Sequence, residues 1–410
     1  MRASEARNTK IVDERSEAPR DGHKRGIRLW KRSGVRFERA VLGSFCVMKK
    51  LSGRYHRWLL ARARYERWKE STRFRKSVRL RIFNYSSYVK VSAGRSFDLE
   101  ENLDATLALL DLVRSIVFRR NQRALIMMGN TEIVSPEAAL ILAAEIQRCL
   151  YHRPGAINGS NPKNAAARGM LSDIGFYSLL GFRRPSRSKA DAAVTYIRMQ
   201  SDTVDNASPW HADTLQKAVF GHIEQPDSFT RELIRGMSEA LLNVRDHAYP
   251  PELMESVDWP VLPNGRWWIA GYRDPAKREV VFMALDHGVG IPKTFPARRY
   301  RDIALSAVAA IGRTLGDPAA TIDHRLLHAA MQFGETRTDK SGRGNGLYEF
   351  RRLIELLGGR CSLTVLSGQA KYLYNSDGEE FCGPIPRFFV GTLVVWRLID
   401  CEAVSWPEQK

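Results

Sequence analysis

The segment EVVFMALDHGVGIP, Glu279 to Pro292, constrains this chain more than any other stretch of it. Its apolar run, VVFMAL, reads as a buried strand. The run stops at one acid, Asp286, and Gly288 and Gly290 follow at alternate positions before Ile291-Pro292. A strand thus ends in a carboxylate and two flexible residues and then stiffens. Alone, the pattern fits an ordinary tight turn, so its neighbours decide what it means.

Upstream, FTRELIRGMSEALLNVRDHAYP (Phe229 to Pro250) has a helical apolar period through Leu233, Met237, Leu241 and Leu242, and Tyr249-Pro250-Pro251 ends it. Glu239, Asn243 and His247 fall four apart, on one stripe of that helix. A solvated polar face would look the same if the helix stood alone. Downstream, GETRTDKSGRGNGL (Gly334 to Leu347) sets Gly342, Gly344 and Gly346 ahead of the apolar-periodic EFRRLIELLGG. A glycine-rich loop opening a helix lets backbone amides approach phosphate, with the helix dipole assisting. Each motif is weak by itself; the three in this order and spacing are not.

SEALLNVRDHAY, LDHGVGIP and GRGNGL resemble the N, G1 and G2 boxes of the GHKL ATPase superfamily, which contains histidine kinases, the ATPase domains of gyrase and MutL, Hsp90 and the anti-sigma-factor serine kinases. The resemblance spans residues 215 to about 399, and the HAY ending brings it nearest the anti-sigma kinase branch. It implies an α/β sandwich with a glycine-rich ATP lid, and ATP and Mg²⁺ as cofactors. Asp286 would accept a hydrogen bond from the adenine amino group. Gly288 and Gly290 would leave room for the nucleotide, Ile291 would line the base pocket and Pro292 would fix the exit. Asn243 would hold Mg²⁺ through its side-chain oxygen, and Glu239 would orient or deprotonate the attacking water or hydroxyl. Gly342, Gly344 and Gly346 would wrap the phosphates, with Arg343 adding charge and Lys340 and Thr336 as weaker lid candidates. His247 reads as a pocket-wall residue or a phosphate contact.

Between Ile82 and about Met199 the pattern is α/β. Helices are expected over 104–120, 135–151 and 162–182, the second with Ser135 as N-cap and Pro136 at the first helical position. Strands are expected over 123–129 and 156–161. This order resembles the STAS-like domain of anti-sigma-factor antagonists, through ALIMMGNTEIVSPEAALILAAEIQR and INGSNPKNAAARGMLSDIGFYSLLG. In that family a serine opening the middle helix can be phosphorylated. Ser135 is the matching candidate phosphosite, but here no acid precedes it and Pro136 follows it, so it reads first as a plain N-cap and only second as a phosphosite.

The expected plan is a basic, partly disordered and helical arm over 1–81, a STAS-like mixed sheet with helices over 82–200, a linker over 201–214, the GHKL domain over 215–400 and a tail over 401–410. Strands are expected over 360–368 and 388–399, the latter closing the sandwich; the insertion 369–387 has no readable role. The chain carries a formal charge of +19, and residues 1–81 hold 25 Lys and Arg against 8 Asp and Glu, a surplus of 17. The arm interleaves aromatic residues with arginines, which suits nucleic acid and equally an acidic partner or a solvated helix face. Cys46, Cys149, Cys361, Cys382 and Cys401 form no CxxC pair, which argues against a disulfide framework or a zinc site and favours the cytoplasm. No apolar run has the roughly 18 residues of a membrane span, and the N-terminus does not read as a secretory signal. His56 and His211 lack the acidic neighbour of a sensor-kinase phospho-acceptor histidine.

Three functions follow. The first is an ATP-driven signalling switch, or a Mg²⁺-dependent serine/threonine kinase acting on a STAS-type partner or on its own dimer. The second is a gyrase- or MutL-like conformational ATPase whose basic arm touches nucleic acid. The third is a non-catalytic ATP-binding module.

Overall fold

Apolar residues at period two pair into three sheets, and those at helical period cover them. The computed structural model describes residues 87–183, 194–255, 257–297, 322–333, 347–357 and 359–406. The expected arm over 1–81 and the lid residues Thr336, Lys340, Gly342, Arg343, Gly344 and Gly346 lie outside them. The architecture is mixed α/β, and the described residues all belong to one unit, Tyr65–Lys410.

The N-terminal layer holds a parallel sheet in the order β1-β3-β5, made of β1 (Tyr88–Ser92), β3 (Arg123–Met127) and β5 (Ile157–Gly159). A short parallel ladder joins β2 (Ser96–Phe97) to β4 (Ile133–Val134). Its helices are α1 (Leu103–Arg114), continued by a π turn over Ser115–Arg119, then α2 (Pro136–His152), α3 (Ala165–Ile174) and α4 (Phe176–Leu179). The Ser135 hydroxyl accepts the Ala138 amide at 3.4 Å, so Ser135 caps α2 with Pro136 just inside. The helix expected over 162–182 starts later and is split. Asn164 is the cap, its side-chain oxygen accepting the Ala167 amide at 3.0 Å. Gly175, at φ +105°, stops α3 in the left-handed region open chiefly to glycine.

The second sheet has five antiparallel strands in the order β6-β7-β8-β10-β9: β6 (Thr195–Asp202), β7 (Trp267–Asp274), β8 (Glu279–Asp286), β9 (Arg360–Asn375) and β10 (Glu380–Ile399). Its helices are α5 (Pro209–Phe220), α6 (Asp227–Asn243), which runs into a π turn over Val244–Ala248, then α7 (Pro251–Met254), α8 (Ile291–Ala297), α9 (Asp323–Phe333) and α10 (Tyr348–Glu355). Three expectations change here. Residues 195–202, placed with the first domain and the start of the linker, pair with β7, because that strand supplies the partners their backbone groups need. The expected closing strand, β10, is interior, and β9 takes the edge. The unread insertion prolongs their hairpin, with Glu380–Pro384 paired to Ala370–Tyr374.

Both faces of β8 are buried, which explains why VVFMAL is apolar without alternation. Phe282, Ala284, Trp267, Ile269, Val394 and Trp396 join a core with α5, α6 and α10. Their strand neighbours Met283, Leu285, Trp268, Tyr272 and Val395 join another with α2 and the parallel sheet. The two expected domains therefore share a core. Polar contacts pin them further. Trp268 Nε1 donates to Gln147 at 2.6 Å, and the Tyr196 hydroxyl donates to the Pro136 carbonyl at 2.7 Å. Arg397 of β10 bridges Glu279 to Glu137 of α2. Burial opposes ionisation of Glu145 on α2, but Arg148 and Arg114 outweigh it and hold its pKa at about 2.

Trp268 is fully buried at this junction. Trp268→Ala is expected to lower unfolding free energy by about 3–5 kcal/mol, as read from urea denaturation of the full chain.

Candidate functional site

Where β8 ends, the chain turns through Gly288 and Gly290 into α8, and a cleft opens over the sheet. Asn243, His247 and Ala248 form the wall from α6 and its π turn. Gly290, Ile291, Thr294 and Phe295 form the rim, Leu347 and Phe350 close the α10 side, and Asp286 and Thr392 lie on the floor. The walls are mainly apolar and the polar groups few, as in small-molecule sites generally.

Asp286 is 4% exposed. Its Oδ1 accepts the Gly288 amide at 2.7 Å, and Thr392 supplies hydrogen bonds from its amide and hydroxyl. Burial exceeds these bonds and pushes the carboxyl up to about 7. A desolvated acceptor with no countercharge is a group poised to be satisfied by a ligand's N–H.

The two glycines do different work. Gly290, at φ +86°, lines the cleft, and a Cβ there would come 2.9 Å from Ser367 Oγ. Gly288, expected to make room for a nucleotide, does not line the cleft. A Cβ on it would overlap the Ala248 carbonyl, and the next amide, Val289, donates to that carbonyl at 2.9 Å. Gly288 is small so that the turn after β8 can dock on the π turn after α6. Tyr249 fastens the same junction, its hydroxyl donating to the Arg266 carbonyl at 2.6 Å and accepting the His287 amide at 3.0 Å.

Asn243 meets the cleft with its side-chain Nδ2 buried and without a hydrogen-bond partner. An unsatisfied N–H donor at a cleft wall fits an acceptor atom of a ligand. Among the described residues no group of three His, Cys, Asp or Glu could hold a metal ion. Mg²⁺ needs no such cage, since it binds through one or two side chains, water and substrate phosphates; the Asn243 amide oxygen is a hard donor of that type. His247 is a half-buried wall residue. Glu239 is half-buried one turn before Asn243 and does not line the cleft; burial first, and then the charge of Glu349, raise its pKa, while Arg235 offsets them in part. Ile291 lies on the rim of the cleft. Ser135 is 7% exposed, with α2 on the sheet face opposite the cleft.

Three residues escaped sequence reading. Ser367 is fully buried, and its hydroxyl accepts the Ile291 amide at 2.9 Å and lies 3.1 Å from both Gly391 O and Thr392 Oγ1. Gly391, at φ +81°, leaves the space that the Asp286 carbonyl fills. Thr392 is paired with Asp286 across the ladder. The Gly-Thr interruption in FFVGTLVVW is the only sequence signal for Gly391 and Thr392, and Ser367 has none.

No protein-family model and no curated protein matches this chain. The site is therefore read from its own geometry.

Because the folded Asp286 carboxyl binds its proton more tightly than the unfolded one, its contribution to stability is complete below pH about 4 and is lost as pH rises through about 7. Asp286→Asn does not titrate. Its unfolding free energy relative to wild type is expected to rise between pH 4 and pH 8 by up to about 4 kcal/mol, measured by urea denaturation at both pH values. A difference independent of pH would show that the carboxyl is not perturbed.

Proposed function

We propose that this chain is an ATP-binding signalling protein of the GHKL type, with a STAS-like layer packed on the back of its sheet, and that it transfers or releases the γ-phosphate of ATP. The observation that carries this reading is the buried, countercharge-free Asp286 on the floor of an apolar cleft, with the unpartnered N–H donor Asn243 Nδ2 on the wall beside it. Adenine presents an exocyclic amino group to such an acceptor and a flat apolar face to walls such as Ile291 and Phe350. The triphosphate would then run past Asn243.

Mg²⁺, when bound, would neutralise phosphate charge, with Asn243 as its protein ligand. Glu239 would take the proton of the attacking water or hydroxyl as that oxygen bonds to the γ-phosphorus and ADP departs. Burial favours proton uptake by that carboxyl, as a base requires. The Ser135 hydroxyl is capped and buried, which favours a phospho-acceptor on a separate partner over Ser135 of the folded chain.

Full-length protein incubated with γ-phosphate-labelled ATP and Mg²⁺ separates the alternatives. Label retained on protein identifies a kinase, and free phosphate an ATP-driven switch. Binding without turnover identifies a non-catalytic module, and no binding at millimolar ATP overturns the reading. Asp286→Asn is expected to abolish the signal in each case. Glu239→Ala should keep ATP binding in equilibrium dialysis while turnover falls roughly 10²–10⁴-fold.

A further inference from the structure

α6 and α10 cross where Gly236 carries no side chain; a Cβ there would lie 3.3 Å from the Glu349 carbonyl oxygen. Two ion pairs bridge the crossing. Arg352 Nε lies 3.0 Å from Glu232, and Arg235 Nη2 donates to Glu349 Oε1 at 2.6 Å. The second pair is asymmetric. The Arg235 side chain is 45% exposed, that of Glu349 only 4%, and Glu349 Oε2 is buried without a hydrogen-bond partner.

Arg235 and Glu239 stand at the i, i+4 spacing of a helical ion pair, yet the guanidinium is taken by Glu349 on the other helix. Among the described residues, the charges bearing on Glu239 are Glu349 on α10, Arg235 on α6 and Asp246 on the π turn.

We propose that Glu349 is the positioning residue for Glu239: by holding Arg235 across the helix crossing, it keeps the guanidinium from pairing with the Glu239 carboxylate and leaves that carboxylate available as a base. This rests on the reading of Glu239 as the proton acceptor. A guanidinium released onto a carboxylate lowers its proton affinity by roughly ten- to a thousandfold, so the consequence for a base is large. Glu349 itself touches no reacting atom in this scheme.

The test uses the full chain without nucleotide, treated at fixed pH with a carbodiimide and an amine nucleophile, and reads the adduct at Glu239 by peptide mass spectrometry. Glu349→Gln is expected to reduce labelling of Glu239 several-fold, and the double variant Arg235→Gln/Glu349→Gln to restore it. Wild-type labelling in Glu349→Gln, or no restoration in the double variant, would overturn the proposal. Should Glu349→Gln fail to fold, Arg235→Gln alone decides, because its side chain is partly exposed and tolerates replacement more readily: labelling at or above the wild-type level supports the proposal, and a fall refutes it. In ATP turnover, Glu349→Gln is expected to lower kcat at least about tenfold with KM within about twofold, and the double variant to recover part of kcat. A wild-type chain that binds ATP without turnover would refute phosphoryl transfer and the role of Glu239 as base, while the labelling would still decide what Glu349 does.

Discussion

β8 is hydrogen-bonded to β7 on one side and β10 on the other, and helices cover both of its faces. A strand so placed offers no water to the side chain at its end. That is why Asp286, where β8 stops, is desolvated although it adjoins a cleft, and why its hydrogen bonds come from the Gly288 amide and from Thr392. The close fit of the turns around it follows from the same confinement. Gly288 admits the Ala248 carbonyl and Gly391 admits that of Asp286, because no solvent layer separates the strands from the helices.

The layer built from α2 and the parallel sheet gives the large sheet its second cover. Trp268, Tyr272, Met283 and Leu285 share a core with α2 and β3, so removing that layer would expose one face of the strand that positions Asp286. The Arg397 bridge between Glu279 and Glu137 supplements this packing, and with Glu137 buried it serves geometry more than net stability. The N-terminal layer is thus a structural part of the cleft's support. The same packing accounts for the burial of Ser135 at the head of α2.

Reading along the chain located what local pattern encodes. The strand ending at Asp286, the helix stripe with Glu239, Asn243 and His247, and the Ser135 cap are all visible in runs of fewer than twenty-five residues, where period and capping chemistry act. Asn243, His247, Asp286, Gly290 and Ile291 come together in one cleft. Gly288 was assigned the wrong neighbour, because a glycine announces close approach without saying to what. Ser367, Gly391 and Thr392 were missed because their importance arises from ladder register: Thr392 opposes Asp286, and Ser367 opposes Thr392.

The sequence by itself determined the element types, the acid at the strand end and the polar stripe on α6, since each depends on side chains a few positions apart. Tertiary structure decided that β6 joins the second sheet, that β10 is interior, that the two layers share one core, and that Arg235 pairs across to Glu349 rather than along its own helix to Glu239. These depend on backbone groups and charges finding partners far away in sequence, and no local period records which partner is nearest.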